Sequence, residues 1–476
     1  MPGLFGALNM GSRSLQAQQA GIETAGLNLA NVNNPNYARQ RVTLETDISV
    51  PTKFGLQETG VTVVGITQIR DALLDRQITS EMSVAGYWET RREALESTQA
   101  NLGQMIDRHA SGPEGAAAAS GTGAQQGISE GLQDLFNSFQ SLSTDPAALA
   151  ERQVLLQKAA SMASRFNQTD ARLSELATSL DANLSEDVKE TNRLMGVIAN
   201  LNDQISTLEN QTGSSANRLR DLRQARLEDL AQFVDYSYSF DVNNQADITI
   251  GGVAMVTGKN VTDTLEVYDA GGGQMLVRAA TAGTALPLTG GSIQGTIDTR
   301  DTSLANLRSD IDSLAALLIT EVNAVHAAGF SLTGSTGAAF FTGTGASDIA
   351  INTALQNDPQ LIQTSALVGA VGNNATAVAL AQLADKRHGA LSGQTFSEFY
   401  NATVSTMGQD LASSTAQVTD QSAVQDMLLR QRDSVSGVSV DEEMTDLVKY
   451  QRAFQASAKF INTIDQLMET VISLKR

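Results

Sequence analysis

Both ends of this chain carry apolar residues in a heptad pattern, the spacing that most constrains how it can fold. A repeat of alternating three and four residues places apolar side chains on one narrow helix face, and that face needs a second helix to cover it. We therefore expect the N- and C-terminal helices to pair as a coiled coil. The predicted seam residues are Leu8, Leu15, Ile22, Leu29, Leu447, Tyr450, Phe454, Ile461, Ile464, Met468 and Val471.

The N-terminal helix is also rich in glycine. Its glycines are Gly3, Gly6, Gly11, Gly21 and Gly26, and a glycine inside a helix costs about 1 kcal/mol relative to alanine. This helix is expected to be weak by itself. The ends of a free chain would then be frayed and would become ordered when a partner covers the seam. An ordinary pair of terminal helices within one chain fits the same pattern.

Composition limits the classes of partner. The 476 residues are too many for one core and predict several domains. There are 52 acidic against 32 basic side chains, and the formal net charge of −20 repels nucleic acids and anionic membrane surfaces. The absence of cysteine excludes disulfides and thiol chemistry and fits a protein exported unfolded. We expect no nucleic-acid partner, no membrane insertion and no cleavable signal peptide.

Changes in apolar periodicity divide the chain and predict a mainly α fold with inserted antiparallel β domains. Residues 147–211 contain no proline and one glycine, which predicts a helical rod of roughly 80–95 Å. Residues 111–127 have the composition of a loop. The predicted parts are an N-terminal axial helix with a turn and β segment over 1–70, a helical bundle over 71–235, a β insert over 236–298, a return helix over 299–330, a small β or irregular insert over 331–382, and C-terminal helices over 383–476 that pair with the N-terminus.

No pattern for catalysis or metal binding is found. The three histidines, His109, His326 and His388, are too far apart to form a metal-ligand spacing by themselves. The glycine clusters lack the residues that follow in phosphate-binding loops. We therefore predict no catalytic residue, no metal site and no cofactor, and the chain is not expected to be an enzyme.

Two charged groups near the chain ends have simple interpretations. The acidic run 441–443 lies at the start of the last predicted helix, where anionic side chains favour the positive end of the helix. Arg39 and Arg41 alternate along a predicted strand and are expected to lie on its solvated face.

A turn is predicted directly after the first helix, with Asn31, Pro35, Asn36 and Tyr37 as its defining residues. Pro35 fixes φ for the second position of the turn. Asn36 tolerates the left-handed conformation that a type II turn requires at the next position.

This turn carries a resemblance to a known family. Residues 29–40, Leu-Ala-Asn-Val-Asn-Asn-Pro-Asn-Tyr-Ala-Arg-Gln, resemble the N-terminal signature of the axial proteins of the bacterial flagellum, although Asn34 and Asn36 replace the more usual Thr and Gly. Residues 436–444 and 450–458 are similar to the signature at the other end of those proteins. The Asp145-Pro146 break before a long helix containing residues 165–168, the β insert after Phe233 and the region 340–359 resemble the member at the hook–filament junction.

The resemblance implies a structural subunit of the flagellum at this junction, outside the cell. It further implies export in an unfolded state and assembly through terminal coiled-coil helices. The implied partners are further copies of the chain in a ring, the hook protein, the filament-adaptor hook-associated protein and a flagellar export chaperone. Another axial subunit, of the hook or the filament adaptor, would share both terminal signatures. An exported enzyme fused to flagellar-type ends is a third reading, and it would need an acid and a base paired in a cleft.

Overall fold

The computed structural model describes residues 3–52, 55–102 and 127–474. The predicted loop over 111–127 lies outside these ranges except for Gly127. The helices are α1 Leu4–Ala30, α2 Ala72–Asn101, α3 Ile128–Thr144, α4 Leu149–Thr212, α5 Asn217–Phe233, α6 Gly291–Asp298, α7 Ala305–Ala327, α8 Thr353–Asn357, α9 Ala375–Gln382, α10 Phe396–Ser436 and α11 Val440–Ser473. The strands are β1 Gln40–Thr46, β2 Ser49–Thr52, β3 Gly55–Glu58, β4 Val61–Gln68, β5 Ser237–Phe240, β6 Ala246–Ile250, β7 Val253–Thr257, β8 Asn260–Val261, β9 Leu265–Asp269, β10 Met275–Ala279, β11 Phe341–Thr342 and β12 Ala350–Ile351.

The first and last helices lie side by side and run antiparallel. Ser14 of α1 meets Ser457 of α11, with 2.8 Å between their hydroxyl oxygens, and Asn28 near the other end of α1 meets Glu443. Strands β1 and β4 form an antiparallel ribbon that packs on α1. The predicted pairing of the terminal helices is confirmed, and it forms within one chain. We call α1 and α11 the terminal helix pair.

Helix α4 is the backbone of the helical domain. Its 64 residues run without a break, which at 1.5 Å per residue gives a length of about 96 Å. The first half of α4 shares one large apolar core with α3, α7, α9 and α10, and the second half shares a separate core with α5, α6 and the β insert. Helix α2 connects the two regions, because it packs against α5, α6 and α10.

The β insert is a four-stranded antiparallel sheet in the order β5-β6-β7-β8, accompanied by the β9–β10 hairpin. Gly251 and Gly252 connect β6 to β7 with φ of 54° and 85°, a left-handed turn that favours glycine. Two asparagines of α4 hold strand backbones. Asn202 donates to Ala246 O and accepts from Ala246 N at 2.9 and 3.0 Å, and Asn192 pairs with Leu265 in the same way. These amides fix the sheet to the helix.

The return helix begins earlier than the sequence predicted. Helix α6 starts at Gly291, inside the range 236–298 assigned to the β insert, and continues through a π-helical turn over Thr299–Leu304 into α7. Ile293 and Ile297 are four residues apart and both face the core. Gly291 has a φ of 81°, and a side chain there would collide with the backbone of Phe233. The helix start therefore depends on this close tertiary contact.

The segment after α7 contains one strand pair of two residues each, β11 with β12, between short helices and irregular chain. The fully buried Arg152 of α4 holds this segment in place. Its guanidinium donates to the carbonyl oxygens of Pro146, Pro359 and Ile362 and to the hydroxyl of Thr364. Carbonyl oxygens thus satisfy a buried cation that has no carboxylate partner among the described residues.

Candidate assembly interface

Glycines of α1 lie where α11 approaches most closely. A Cβ atom at Gly11 would lie 2.6 Å from Ile461 Cγ1, and one at Gly21 would lie 2.7 Å from Tyr450 Cδ1. Real Cβ atoms do not come this close to their neighbours, so these two helices reach their spacing because the side chains are absent. Helix propensity predicts only a cost in helix stability for these glycines, because their role in packing depends on a helix more than 400 residues away in the chain.

The structure places the predicted seam residues unequally. On α1 the buried side is formed by Gly11, Ala17, Gly21, Thr24, Ala25 and Asn28. The heptad leucines and isoleucine, Leu8, Leu15, Ile22 and Leu29, are half-buried beside it. On α11, Ile464 is 8% exposed, whereas Val471 is 54% exposed. The remaining predicted positions, Leu447, Tyr450, Phe454, Ile461 and Met468, are half-buried.

Helix α11 therefore has more apolar surface than α1 covers. Most of its exposed large apolar side chains follow two rows with helical spacing. Val440, Met444 and Val448 form one row near the start of the helix, and Phe460, Leu467, Val471 and the C-cap residue Leu474 form the other in its second half, where Ile472 is exposed beside the row. We call these two rows the apolar rows of α11. They leave a sizeable hydrophobic surface in contact with water in the single chain.

A polar cluster lies where the end of α1 meets the start of α11. Glu443 is 3% exposed; its carboxylate accepts from Arg39 Nε at 2.6 Å and from Asn28 Nδ2 at 3.0 Å. Asn28 also accepts from the Tyr37 hydroxyl at 2.8 Å and from the backbone N–H of Gln40 at 3.0 Å. Each buried charge thus has partners, as the cost of burying charge requires.

This cluster adds to one interpretation and corrects another. Glu443 lies with its acidic neighbours in the first turn of α11, as predicted, and it is in addition a buried partner of the N-terminal segment. Arg39 was assigned to a solvated strand face, yet it pairs with both Glu442 and Glu443. Burial, together with the carboxylates of Asp221 and Glu443, raises the pKa of the Tyr37 phenol to about 12. Tyr37 therefore remains a hydrogen-bond donor at neutral pH.

The turn after α1 differs from the predicted type. Asn36 is not among the described residues with positive φ, so the expected left-handed conformation is wrong. Instead the side chain of Asn34 accepts from Asn36 N at 3.2 Å, and its carbonyl oxygen accepts from Tyr37 N at 3.1 Å. Asn31 caps the helix end by donating from its side chain to Leu27 O at 2.9 Å. Pro35 and Asn36 are exposed.

The described residues contain no group of three or more His, Cys, Asp or Glu side chains placed to hold a metal ion. His109 lies outside these residues. His326 and His388 are both buried, in different surroundings. Over the same ranges, no helix combines the length and the apolar character needed to cross a bilayer.

Comparisons with known proteins agree with this architecture. A model of the flagellar hook-associated protein FlgK helical domain matches residues 120–341, and a model of the flagellar basal body rod FlgEFG protein C-terminal region matches residues 430–474. Flagellar hook-associated protein 1 of Bacillus subtilis is 27% identical, with 99% of both chains covered. The Escherichia coli protein of the same name is 23% identical over 98% of this chain and 99% of its own.

A solved structure also matches. The flagellar hook junction protein FlgK of Burkholderia pseudomallei aligns with a TM-score of 0.64 at 13% identity, covering 76% of this chain and all of that one. At this identity the match shows a shared fold.

A long helical domain with a β insert, joined to a pair of helices made from both chain ends, defines an axial protein of the bacterial flagellum. Within that class the chain belongs to the flagellar hook-associated protein 1 family. The members of this family are structural components of the flagellum at the hook–filament junction.

Proposed function

We propose that copies of this chain form a ring at the hook–filament junction and that the terminal helix pair makes the main contacts between them. In this proposal the chain is exported unfolded and folds outside the cell. The hook protein lies on one side of the ring and the filament-adaptor hook-associated protein on the other. A flagellar export chaperone binds the chain before export. The role is structural and needs no catalytic group.

The observation that carries the proposal is the exposure of the apolar rows of α11. Leu467 and Phe460 are 48% and 43% exposed, although they lie on the same helix as the buried contact with α1. Covering apolar surface contributes about 25 cal/mol per Å². Contact with a neighbouring subunit would bury these rows and would add stability that the single chain lacks.

The proposal can be tested by introducing a charge into one row. We expect Leu467→Glu to be secreted at the normal level and to fold as a monomer, because the side chain already contacts water. Its incorporation at the junction should fall by at least about tenfold, since a buried unpaired charge at a contact is strongly unfavourable. The measurement is quantitative immunoblotting of isolated hook–filament structures and of the culture medium.

Val242→Glu is the matched control, because Val242 is also an exposed apolar residue but lies in the β5–β6 connection of the β insert. This variant should be incorporated like the unaltered chain. Normal incorporation of Leu467→Glu would contradict a contact role for the row.

A further inference from the structure

A cavity of about 200 Å³ lies where three parts of the chain meet. The end of β4 contributes Gln68 and the following Arg70, α5 contributes Arg220 and Arg223, and the β insert contributes Phe240 among other residues. The cavity is far larger than the roughly 10–15 Å³ that one water molecule requires. Its wall combines apolar surface with three guanidinium groups, those of Arg70, Arg220 and Arg223, and one carboxylate, that of Asp75.

Arg223 is the central feature of this wall. It is 3% exposed, and the ring of Phe240 lies 4.6 Å from its guanidinium carbon. Its Nη1 donates to Asn202 Oδ1 at 3.0 Å and to Asn244 O at 2.5 Å. Among the described residues no carboxylate lies within ion-pair distance of Arg223, and neither Nε nor Nη2 has a protein acceptor.

Comparison with the other deeply buried arginines shows that this arrangement is unusual. Arg152 uses Nε, Nη1 and Nη2 on carbonyl and hydroxyl oxygens. Arg300 pairs with Asp181 and Asp301. Both are complete without a ligand. In Arg223, by contrast, Nε and Nη2 form one edge of the planar guanidinium and lie beside a cavity. Two donors in this arrangement can give two parallel hydrogen bonds to an oxyanion.

The carboxylates around the cavity are already engaged. Arg70 binds both Asp75 and Asp221, and Arg220 binds Glu209 through two hydrogen bonds. Burial and the neighbouring Arg220 lower the pKa of Arg223 to about 10. Arg223 thus stays charged at neutral pH, and the nearby carboxylate of Glu209, which favours that charge, is hydrogen-bonded to Arg220 instead.

We propose that this cavity binds a small oxyanion, such as inorganic phosphate or sulfate, with Arg223 as its principal ligand. The anion would accept hydrogen bonds from Nε and Nη2 of Arg223. Because the wall combines β4, α5 and the β insert, a bound anion would also fix the β insert against the base of the helical domain. This inference does not depend on the proposed role in assembly.

The test is isothermal titration of the purified full chain with inorganic phosphate at constant ionic strength. We expect saturable binding of one phosphate per chain. Ser215→Asp places a carboxylate on the cavity wall, and it should weaken phosphate binding by at least about tenfold by taking the place of the anion.

Ser214→Asp is the matched control, since the same change falls on the adjacent exposed residue outside the cavity wall, and it should bind phosphate like the unaltered chain. Arg223→Lys, which keeps the charge but loses the planar fork, should also bind more weakly. The proposal is overturned if the unaltered chain shows no saturable binding, if Ser215→Asp binds as well as the unaltered chain, or if both aspartate variants lose binding equally.

Discussion

At the scale of single residues, His326 shows how burial determines the protonation state of a side chain in this protein. It lies fully buried near the end of α7, with Nδ1 2.8 Å from Ala338 O, and its Nε2 accepts from Gln363 N at 3.0 Å. This pattern requires the neutral ring with the proton on Nδ1. Burial lowers the pKa of His326 to about 4. A second proton would break the bond to Gln363 and leave a charge in the core.

We predict that acidification destabilises the fold through His326. Its folded pKa lies below the unfolded value of about 6.5, so the unfolded chain binds more protons and the stabilisation present above pH 6.5 is lost as pH falls towards 4. Between pH 7.5 and 5 the free energy of unfolding should fall by about 2 kcal/mol from this residue. Urea unfolding at both pH values measures it. His326→Gln should show a smaller pH dependence, and an unchanged dependence would rule out His326 as the cause.

At the scale of elements, α1 combines two kinds of glycine. Gly21 faces the ring of Tyr450, whereas Gly26 has no heavy atom within 4 Å of the place where a Cβ would lie. Helix propensity treats the two positions alike. Packing distinguishes them, because only Gly21 allows the two backbones to approach.

We predict opposite effects of alanine at these two sites. Gly26→Ala should stabilise α1 by up to about 1 kcal/mol, the difference in helix propensity. Gly21→Ala should destabilise the terminal helix pair by about 1–3 kcal/mol, because the Tyr450 ring must move away. Hydrogen exchange of residues 4–30 in both variants provides the measurement. Slower exchange in both would show that propensity outweighs packing at Gly21.

At the scale of the whole molecule, stability is unevenly distributed along the chain. Both large cores lie on α4, one on each half. The terminal helix pair belongs to neither, and its buried apolar residues are few, among them Ala17, Ala25 and Ile464. Local opening is easiest where few apolar contacts are buried. The six-part division of the chain into domains stays a prediction, and it implies that these regions open separately.

We therefore predict that the single chain exchanges its amide hydrogens faster in α1 and α11 than in α4. The terminal helices should nevertheless exchange more slowly than an unfolded peptide, since the structure pairs them within one chain. Hydrogen exchange with mass spectrometry of the soluble monomer tests this, and assembled junctions should show slower exchange in the same helices. Equal protection of α1, α11 and α4 in the monomer would refute the proposed role of assembly in ordering the ends.

The sequence alone determined the features that depend on local pattern. Heptad spacing at both ends predicted the terminal helix pair, an uninterrupted helical period predicted α4, and alternating residues with glycine turns predicted the β insert after Phe233. These signals are local because helix and strand periods appear within a few turns of chain. The terminal signatures also indicated the correct class of protein.

Only the tertiary structure decided which side chains are buried and which residues they contact. Glu443 binds Arg39 from 404 positions away, and Gly21 has a packing role only because Tyr450 lies against it. Likewise Arg223 becomes a candidate ligand only when β4, α5 and the β insert meet around one cavity. A sequence pattern reports period and propensity, whereas burial and pairing depend on residues distant in the chain, and their energies arise only when the chain has folded.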